Sequence, residues 1–403
     1  MRGCIFKRKL PSGAVSWGYS IDAGRDETGK RKQIFKSGFA RQGDAQAELT
    51  RLLQEKNDGV LVKPDPQTFA AFMHEWLREH AAKHCEPKTT ERYRQLAGYV
   101  LPHLGSIRLR DLSTLTLERV YNRLHESGGQ TKRRLKKGEE AQPAPLSART
   151  VKNIADVVRS ALNTALRWKL LKVNPAVACE LPKVQTKEAR ALDAGETEWL
   201  LDGARGSWLY PFLVMEAATG ARRGELLALA WSDLTLDSIP PSMSISKSLE
   251  QTRDGLRIKP PKNDKSRSVP LPALAVEALQ EHRGQQDEWR RDFGPDYRAD
   301  LNLVFATPTG DHLKPDSVTA KASALARKLG LKDVGLHSLR HSHGSQLLSA
   351  GVALPTVSKR LGHSSVYVTA SIYSHAFTGD EIAAAEAWDA TMRKAQDRAR
   401  VTQ

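Results

Sequence analysis

The chain has 403 residues, of which 40% are hydrophobic and 27% are charged, and it carries a formal net charge of +16. This length is too great for one ordinary hydrophobic core and predicts two or three domains. The excess of Lys and Arg indicates a polyanionic partner such as nucleic acid, because these side chains displace counterions from phosphates.

Several classes of protein are excluded by what the sequence lacks. No apolar run approaches the roughly 20 residues of a membrane-spanning helix, and no apolar stretch follows the basic N-terminus as in a secretory signal. The three cysteines lie far apart and indicate neither disulfides nor structural zinc; they are Cys4, Cys85 and Cys179. We therefore expect a cytoplasmic protein with no membrane partner, no metal and no cofactor.

Residues 1–63 form the first predicted segment. Two β-like stretches at 15–21 and 32–35 flank a turn at 26–30, which predicts a hairpin, and apolar spacing predicts a helix over 41–57. Basic residues greatly outnumber acidic ones over positions 1–36, so we expect a positive sheet surface. Its candidate DNA-binding residues are Lys7, Arg8 and Lys9. Prolines in the stretch 63–66 predict a stiff linker.

Residues 67–180 are predicted to be wholly helical. One helix begins after Thr68, which can serve as its N-cap, and others are expected at 88–103, 114–127 and 147–169. A polar loop over 128–146 is either a solvated loop or a direct phosphate contact. Its candidate DNA-binding residues are Lys132, Arg133, Arg134, Lys136 and Lys137.

Residues 184–378 form the largest predicted segment, and a helix over about 379–400 follows in a C-terminal tail, 379–403. A small sheet is expected at 241–272, where the stretches 243–246 and 268–271 frame a loop. The complete chain is thus expected to be mainly α with small β-sheets, an α+β class.

Two basic motifs in this segment are weak on their own. A Gly-bearing turn places Arg222 at the start of an apolar helix, where backbone N–H groups also favour an anion. Arg223 beside it is interpreted as structural or backbone-binding. Farther on, a basic turn carries Lys262 and Lys265. Either motif alone would be read as an ordinary solvated surface feature.

A histidine-rich motif follows, in which His337 and Arg340 are spaced to share one helix face and to converge on one phosphate. His341 and His343 invite a metal interpretation, but no carboxylate or Cys stands at ligand spacing. We interpret both as structural or DNA-facing. The last motif is His363 after Leu-Gly, with Tyr373 ten positions later.

Taken together in this order and spacing, the motifs resemble those of the tyrosine recombinases, which include lambda-type integrases, Xer recombinases and transposon integrases. The resemblance covers residues 219–373 and rests on Arg222, Lys262, His337, Arg340, His363 and Tyr373. It implies an arm-type DNA-binding domain at 1–63, an all-helical core-binding domain at 67–180 and a mixed α/β catalytic domain at 184–378.

The chemistry of strand cleavage explains these residue types. Attack of a hydroxyl on a phosphodiester creates extra negative charge, which Arg222 and Arg340 can stabilise with planar forks of donors. The resemblance implies that Tyr373 is the nucleophile that forms a 3′-phosphotyrosine, without ATP or Mg²⁺. It also implies roles for four further residues: general acid for Lys262, proton transfer for His337, a phosphate contact for His363 and orientation of active-site groups for Glu225.

Alternatives remain at two positions: Lys265 could replace Lys262, and Tyr367 could replace Tyr373. The family pattern favours Lys262, which occupies the matching position after Pro261, and the family spacing favours Tyr373. The resemblance implies double-stranded DNA at core and arm attachment sites, a homotetramer, an excision factor and a host DNA-bending protein as partners. It also implies a nucleoid-associated enzyme in a bacterial host that integrates a phage or other mobile element. The C-terminal helix either docks on a neighbouring protomer or caps its own domain.

Two other functions are compatible with parts of the pattern. A DNA-binding protein that has lost catalysis is disfavoured because every catalytic residue type is present. A type IB topoisomerase is disfavoured by the arm-like segment and the Leu-Gly-His motif.

Overall fold

A computed structural model of the chain describes residues 3–9, 14–25, 31–57, 67–130, 142–185, 190–261, 266–373 and 380–401. The chain divides into two compact units, Met1–Thr186 and Lys187–Gln403, each with hydrophobic clusters of its own. The described residues are mainly helical with small antiparallel sheets, which confirms the expected class. None of the described helices is long and apolar enough to cross a lipid bilayer.

The N-terminal part of the first unit is a three-stranded antiparallel sheet packed against one helix. Its elements are β1 (Cys4–Lys9), β2 (Val15–Arg25), β3 (Arg31–Phe39) and α1 (Gln42–Asn57), with β2 in the middle of the sheet. Tyr19 and Ile21, which alternate along β2, are buried with Leu49 of α1. The sequence pattern misses β1, because this edge strand is rich in charged residues and lacks apolar alternation. The predicted turn at 26–30 lies outside the described residues.

Helices form most of the rest of the first unit. They are α2 (Phe69–Trp76), α3 (Ala82–His84), α4 (Pro87–Leu104), α5 (Thr114–Ser127) and α6 (Ala148–Arg167), with a π-helical turn at Leu77–Ala81 and a 3-10 turn at Leu109–Asp111. The Thr68 hydroxyl accepts a hydrogen bond from the Ala71 N–H and caps α2, as predicted. Inside the core, the Trp76 indole donates to Thr164 at 3.1 Å and joins α2 to α6.

The expectation that 67–180 is wholly helical was wrong in one detail. Two short strands, β4 (Gly129–Gln130) and β5 (Pro143–Ala144), pair antiparallel. The chain leaves α5 at Ser127 and must return to Ser147, the N-cap of α6, so the two arms of the connection run side by side. Pairing satisfies backbone groups of both arms.

The second unit contains a larger set of elements. Its helices are α7 (Ala194–Asp202), α8 (Leu209–Thr219), α9 (Arg223–Leu227), α10 (Ala273–Phe293), α11 (Pro315–Lys328), α12 (Leu336–Ser349), α13 (Leu354–Leu361), α14 (Val366–Tyr373) and α15 (Asp380–Val401). Its strands are β6 (Leu234–Thr235), β7 (Ser242–Ile245), β8 (Ser248–Thr252), β9 (Gly255–Lys259) and β10 (Arg267–Pro270). The stretches predicted at 243–246 and 268–271 pair as β7 and β10, with Met243 opposite Val269. Strand β6 and the β8–β9 hairpin are additional to the prediction.

Helix α8 lies at the centre of the second unit. Its residues from Leu209 to Glu216 are all buried, and α10 and α12 pack against it. A helix that is apolar around its whole circumference is stable only in such a position. Because α8 is held by the core, the segment that follows it, which carries Arg222, starts from a fixed point.

Helix α15 contrasts with α8 because its described side chains, over 385–397, are all exposed. They include Trp388, which is 65% exposed, and Met392. These side chains are not buried against the unit that contains them.

Candidate active site

Arg222 lies directly after the buried helix α8, at the N-cap of the short helix α9. Its side chain is 31% exposed. The Glu225 carboxylate, one turn later, accepts hydrogen bonds from the backbone N–H and from Nη1 of Arg222, both at 2.9 Å. The Arg222 guanidinium is therefore anchored to the first turn of α9.

The Glu225 carboxylate also binds a second arginine. It accepts from Nη2 and Nη1 of Arg267 at 2.6 and 3.2 Å, and Glu225 is only 3% exposed. Burial favours a higher pKa for this carboxyl, but the hydrogen bonds and charges of Arg267 and Arg222 hold its pKa below the ordinary value. Glu225 is therefore ionised at neutral pH and holds together two cations that would otherwise repel each other.

Arg340 projects from α12 into the protein interior and is 3% exposed. Its Nη1 donates to the carbonyl of Gly220 at 2.5 Å, and its Nη2 donates to the carbonyl of Leu361 at 2.7 Å. Burial and the nearby charge of Arg222 lower the pKa of Arg340 to about 10, so the guanidinium is still charged at neutral pH. A buried cation thus lies beside the Arg222 guanidinium.

Three successive backbone carbonyls at the end of α13 accept hydrogen bonds from three arginines. The pairs are Arg267 Nε to Arg360 at 3.1 Å, Arg340 Nη2 to Leu361 at 2.7 Å and Arg222 Nη2 to Gly362 at 3.1 Å. The last carbonyls of a helix lack intrahelical donors and lie at the negative end of its dipole, where cations are favoured. Gly362 has a left-handed φ of 65°, and a Cβ there would lie 2.8 Å from the Arg267 guanidinium. Any side chain at this position would therefore be strained, which favours glycine.

The two predicted catalytic histidines are neutral at pH 7. His363 Nδ1 lies 2.7 Å from Oγ1 of the buried Thr369. Burial and the charges of Arg340 and Arg222 lower the pKa of His363 to about 4. His337 is exposed to solvent, and partial desolvation of its ring together with the charges of the same two arginines lowers its pKa. Each ring can therefore donate a hydrogen bond to a phosphate oxygen from its protonated nitrogen without carrying a charge.

Tyr373 is the last residue of α14, and its side chain is 1% exposed. Its hydroxyl donates to the backbone carbonyl of Arg340 at 3.5 Å. Burial raises the pKa of Tyr373, and the charge of Arg340 opposes this rise only in part. The His341 ring lies between the rings of Tyr373 and His337. Its centroid is 5.9 Å from that of Tyr373 and 4.7 Å from that of His337. The tyrosine predicted as nucleophile thus lies against the helix that carries His337 and Arg340.

Gly344 on α12 makes room for this tyrosine. A Cβ at Gly344 would lie 2.4 Å from both Cζ and Oη of Tyr373, which no real contact permits. Tyr367, the alternative nucleophile, lies on the first turn of α14 and is 80% exposed. The phenol of Tyr373 is thus the one positioned by the α12 backbone.

Several predicted residues lie outside the described part of the chain. They are Lys262 and its alternative Lys265, together with Lys132, Arg133, Arg134, Lys136 and Lys137. Lys7, Arg8 and Lys9 are described and are exposed on β1. The Lys7 ammonium lies 5.7 Å from the centroid of the Trp17 ring.

Two residues beside the catalytic motifs have structural contacts. Arg223 Nη1 donates to the Pro315 carbonyl at 2.9 Å and to Thr319 Oγ1 at 2.5 Å, joining α9 to α11. His343 is buried and accepts a hydrogen bond from Arg360 Nε at 2.9 Å, so it is not DNA-facing. Over the described ranges, no three His, Cys, Asp or Glu side chains are grouped as a metal site.

Arg267 is the main residue of the cluster that sequence reasoning missed. It is one of several cations around the basic turn, and nothing in its neighbours distinguishes it. The available signal is strand alternation, because Arg267 and Val269 share one face of β10 and Val269 is buried. A cation on the buried face of a strand requires an acceptor such as Glu225.

Three family models match successive parts of the chain. A model of the Arm DNA-binding domain matches residues 6–56, the phage integrase N-terminal SAM-like domain matches 68–125, and the phage integrase family matches 190–379. A tyrosine recombinase XerC of Xanthomonas axonopodis pv. citri is 33% identical over 235 residues, which cover 57% of this chain and 68% of the relative. The chain belongs to the phage integrase family of tyrosine recombinases. This membership confirms the resemblance drawn from the motifs.

Other matches to this tyrosine recombinase extend over most of its length. An integrase of Streptomyces ambofaciens is 28% identical over 376 residues, covering 89% of this chain and 88% of the relative. A structure of the Tn1549 transposon integrase with circular intermediate DNA has a TM-score of 0.65 at 19% identity, covering 80% of this chain and 99% of that one. A structure of a lambda integrase tetramer bound to a Holliday junction has a TM-score of 0.54 at 18% identity, covering 89% of this chain and 95% of that one. The structural matches show a common fold.

Proposed function

We propose that this tyrosine recombinase cuts and rejoins DNA at specific sites through a covalent bond between Tyr373 and a 3′ phosphate. The observation that carries the proposal is the convergence of Arg222, Arg267 and Arg340 from separate segments. Arg222 and Arg267 share the single carboxylate of Glu225, and Tyr373 hydrogen-bonds the backbone of Arg340. A cluster of this kind is suited to an anionic group, and the net charge of +16 favours a polyanionic partner such as DNA.

The arginines are proposed to stabilise the transition state of strand cleavage. When the Tyr373 oxygen attacks phosphorus, the non-bridging oxygens gain negative charge, and the forks of Arg222 and Arg340 can donate to them. Both guanidiniums are already oriented by protein acceptors, so little reorganisation is needed during the reaction. The two neutral histidines, His337 and His363, complete the phosphate site.

Proton transfer is proposed to follow from the protonation states. The Tyr373 phenol must lose its proton during attack, and His337 or His363 is the candidate acceptor because each ring is unprotonated at pH 7 and has a free lone pair. The bond between phosphorus and the 5′ oxygen then breaks, and Lys262, or alternatively Lys265, protonates the leaving oxygen. Attack by another 5′ hydroxyl on the phosphotyrosine reverses these steps and joins the strands.

The wider assignment extends this chemistry to integration of a phage or other mobile element into a bacterial chromosome. Residues 1–63 are proposed to bind arm sites, 67–180 to bind the core site and 184–378 to cleave it. A homotetramer is proposed on the paired sites, as lambda integrase forms on a Holliday junction. An excision factor and a host DNA-bending protein are proposed as accessory partners in the nucleoid.

Covalent trapping tests the proposed nucleophile. The substrate is a nicked duplex that spans the attachment core, whose sequence is read from the circular junction of the excised element. The wild-type chain should form a protein–DNA adduct that survives denaturation, and Tyr373→Phe should form none. Tyr367→Phe is the matched control, because this exposed tyrosine should be dispensable. An adduct with Tyr373→Phe, or its loss with Tyr367→Phe, would show that the nucleophile is misassigned.

A second experiment tests the role of the N-terminal sheet. Replacing Lys7, Arg8 and Lys9 with Ala should weaken binding to a duplex that includes the arm sites. The slope of log affinity against log salt should become shallower by about one for each phosphate that the variant no longer neutralises. Adduct formation on the short core duplex should be unchanged. Loss of core cleavage in this variant would contradict the arm-binding assignment.

A further inference from the structure

Arg360, the residue before Leu361, uses its side chain to join separate parts of the catalytic unit. Its Nε donates to His343 Nε2 at 2.9 Å, and its Nη2 donates to the carbonyls of Ala218 at 2.9 Å and Pro270 at 3.2 Å. One guanidinium therefore links α13 to α12, to the last turn of α8 and to the end of β10.

Each of these elements positions a member of the proposed active site. The last turn of α8 precedes Arg222, α12 carries both His337 and Arg340, and β10 begins at Arg267. Helix α13 itself precedes His363. The Arg360 side chain is thus bonded to every segment that contributes an arginine to the cluster.

The backbone of the same segment holds those arginines directly. The carbonyls of residues 360, 361 and 362 accept from Arg267, Arg340 and Arg222 respectively. Their positions depend on where α13 ends and how it lies against α8 and α12. A shift of α13 by about one ångström would move all three acceptors together, and hydrogen bonds weaken steeply when their geometry is distorted.

The His343 ring is suited to hold Arg360 because it accepts rather than donates at Nε2. It is 7% exposed and also hydrogen-bonds the backbone of Ala217. Burial, followed by the charge of Arg360, lowers the pKa of His343 to about 4, so Nε2 keeps its lone pair at neutral pH.

We propose that Arg360 and His343 are positioning residues for strand cleavage: their contact fixes the end of α13 and thereby sets three arginines around the scissile phosphate. The inference rests on the proposed function, since it assumes that the arginine cluster stabilises the reacting phosphate. Neither residue needs to touch the DNA in order to act in this way.

The first test replaces Arg360 with Met, which keeps an unbranched stem and removes every donor. Lys359→Met on the preceding, exposed position is the matched control. With the nicked core duplex, Arg360→Met should slow adduct formation about 10- to 100-fold, while affinity for the same duplex stays within about threefold. The control should match the wild type in both quantities. Wild-type rates for Arg360→Met would overturn the inference.

A second substrate separates positioning from a general loss of structure. Replacing one non-bridging oxygen of the scissile phosphate with a methyl group removes the negative charge that the arginines must stabilise. The defect of Arg360→Met, expressed as a rate ratio to wild type, should therefore shrink about tenfold or more on the methylphosphonate duplex. A variant that is merely less folded is impaired equally on both duplexes, and an equal ratio overturns the inference.

Two variants of His343 give an independent check. Gln can accept from Arg360 with its amide oxygen, whereas Leu has a similar size and no acceptor. His343→Gln should retain most of the cleavage rate, and His343→Leu should show the defect of Arg360→Met, including its reduction on methylphosphonate DNA. Equal rates for the Gln and Leu variants contradict the inference. Failure of the wild type to form any adduct would instead contradict the proposed function itself.

Discussion

Glu225 offers the most direct test of how the arginine cluster is held. Replacing it with Gln keeps the shape of the side chain but removes its charge and turns one acceptor oxygen into a donor NH₂. The carboxylate accepts two hydrogen bonds from Arg222 and two from Arg267. The amide can satisfy one of these arginines at most, and its NH₂ group then faces the other guanidinium.

The magnitude follows from the burial of the pair. Glu225 is 3% exposed, and the Arg267 side chain is 9% exposed, so water cannot replace the missing carboxylate. Removing one partner of a buried ion pair costs about 3–5 kcal/mol. If misplacement of Arg222 and Arg267 raises the activation free energy of strand cleavage by about 3 kcal/mol, cleavage should slow about 100-fold, since roughly 1.4 kcal/mol corresponds to a factor of ten in rate.

Two measurements check this expectation: urea unfolding of the chain and single-turnover adduct formation on the nicked core duplex. Glu277→Gln changes an exposed carboxylate on α10, a helix that carries none of the cluster residues, and this matched control should change neither quantity. A Glu225→Gln variant that cleaves within about threefold of the wild type and unfolds at the same urea concentration would refute the reasoning, because the arginines would then be held without the carboxylate.

Three further predictions concern buried positions of the catalytic unit. Gly344→Ala should displace the Tyr373 ring and lower adduct yield at least about tenfold. Gly284→Ala is the control and should leave cleavage intact, because a Cβ at Gly284 has no neighbouring atom within 4 Å. Equal yields from the two variants would contradict the steric argument. The pKa of His343 is lowered to about 4, so between about pH 6.5 and 4 the unfolded chain binds a proton at this residue and the folded chain does not. In urea titrations, the free energy of unfolding of the wild type should therefore fall by about 3 kcal/mol more than that of His343→Gln as pH is lowered from about 6.5 to 4. Burial raises the pKa of Glu216 well above its ordinary value, so the wild type loses stability as pH rises past about 4.5. In the same urea titrations, the free energy of unfolding of Glu216→Gln relative to the wild type should therefore increase as pH rises above about 4.5, and a difference that does not change with pH would refute this prediction.

Residue types and spacings carry most of the chemistry that can be predicted here. Arg222, His337, Arg340, His363 and Tyr373 stand in separate segments, yet order and spacing alone bring them into one hypothesis. The structure then brings the five together in one region of the second unit. Local rules also succeed for single elements, because a cap such as that of α2 depends only on residues a few positions apart.

The backbone partners of the arginines could not be predicted in the same way as Glu225. Arg340 and Arg222 bind backbone carbonyls near the end of α13, and a carbonyl is common to all residues, so no pattern marks it as an acceptor. Strand β1 was missed for a related reason, since its place at the sheet edge is set by pairing with β2 rather than by its own side chains. Gly344 was missed because its role depends on Tyr373, which lies 29 positions away.

The use of carbonyls rather than carboxylates has a consequence for the reaction. Three guanidiniums and the one carboxylate of Glu225 leave a net charge of +2 in the cluster. Additional carboxylates would satisfy the same donors but would cancel this charge. The carbonyls of residues 360, 361 and 362 orient the arginines through dipoles and leave their charge intact. The positive charge is therefore still available for a phosphate with one negative charge, and more so for a transition state whose non-bridging oxygens carry about two.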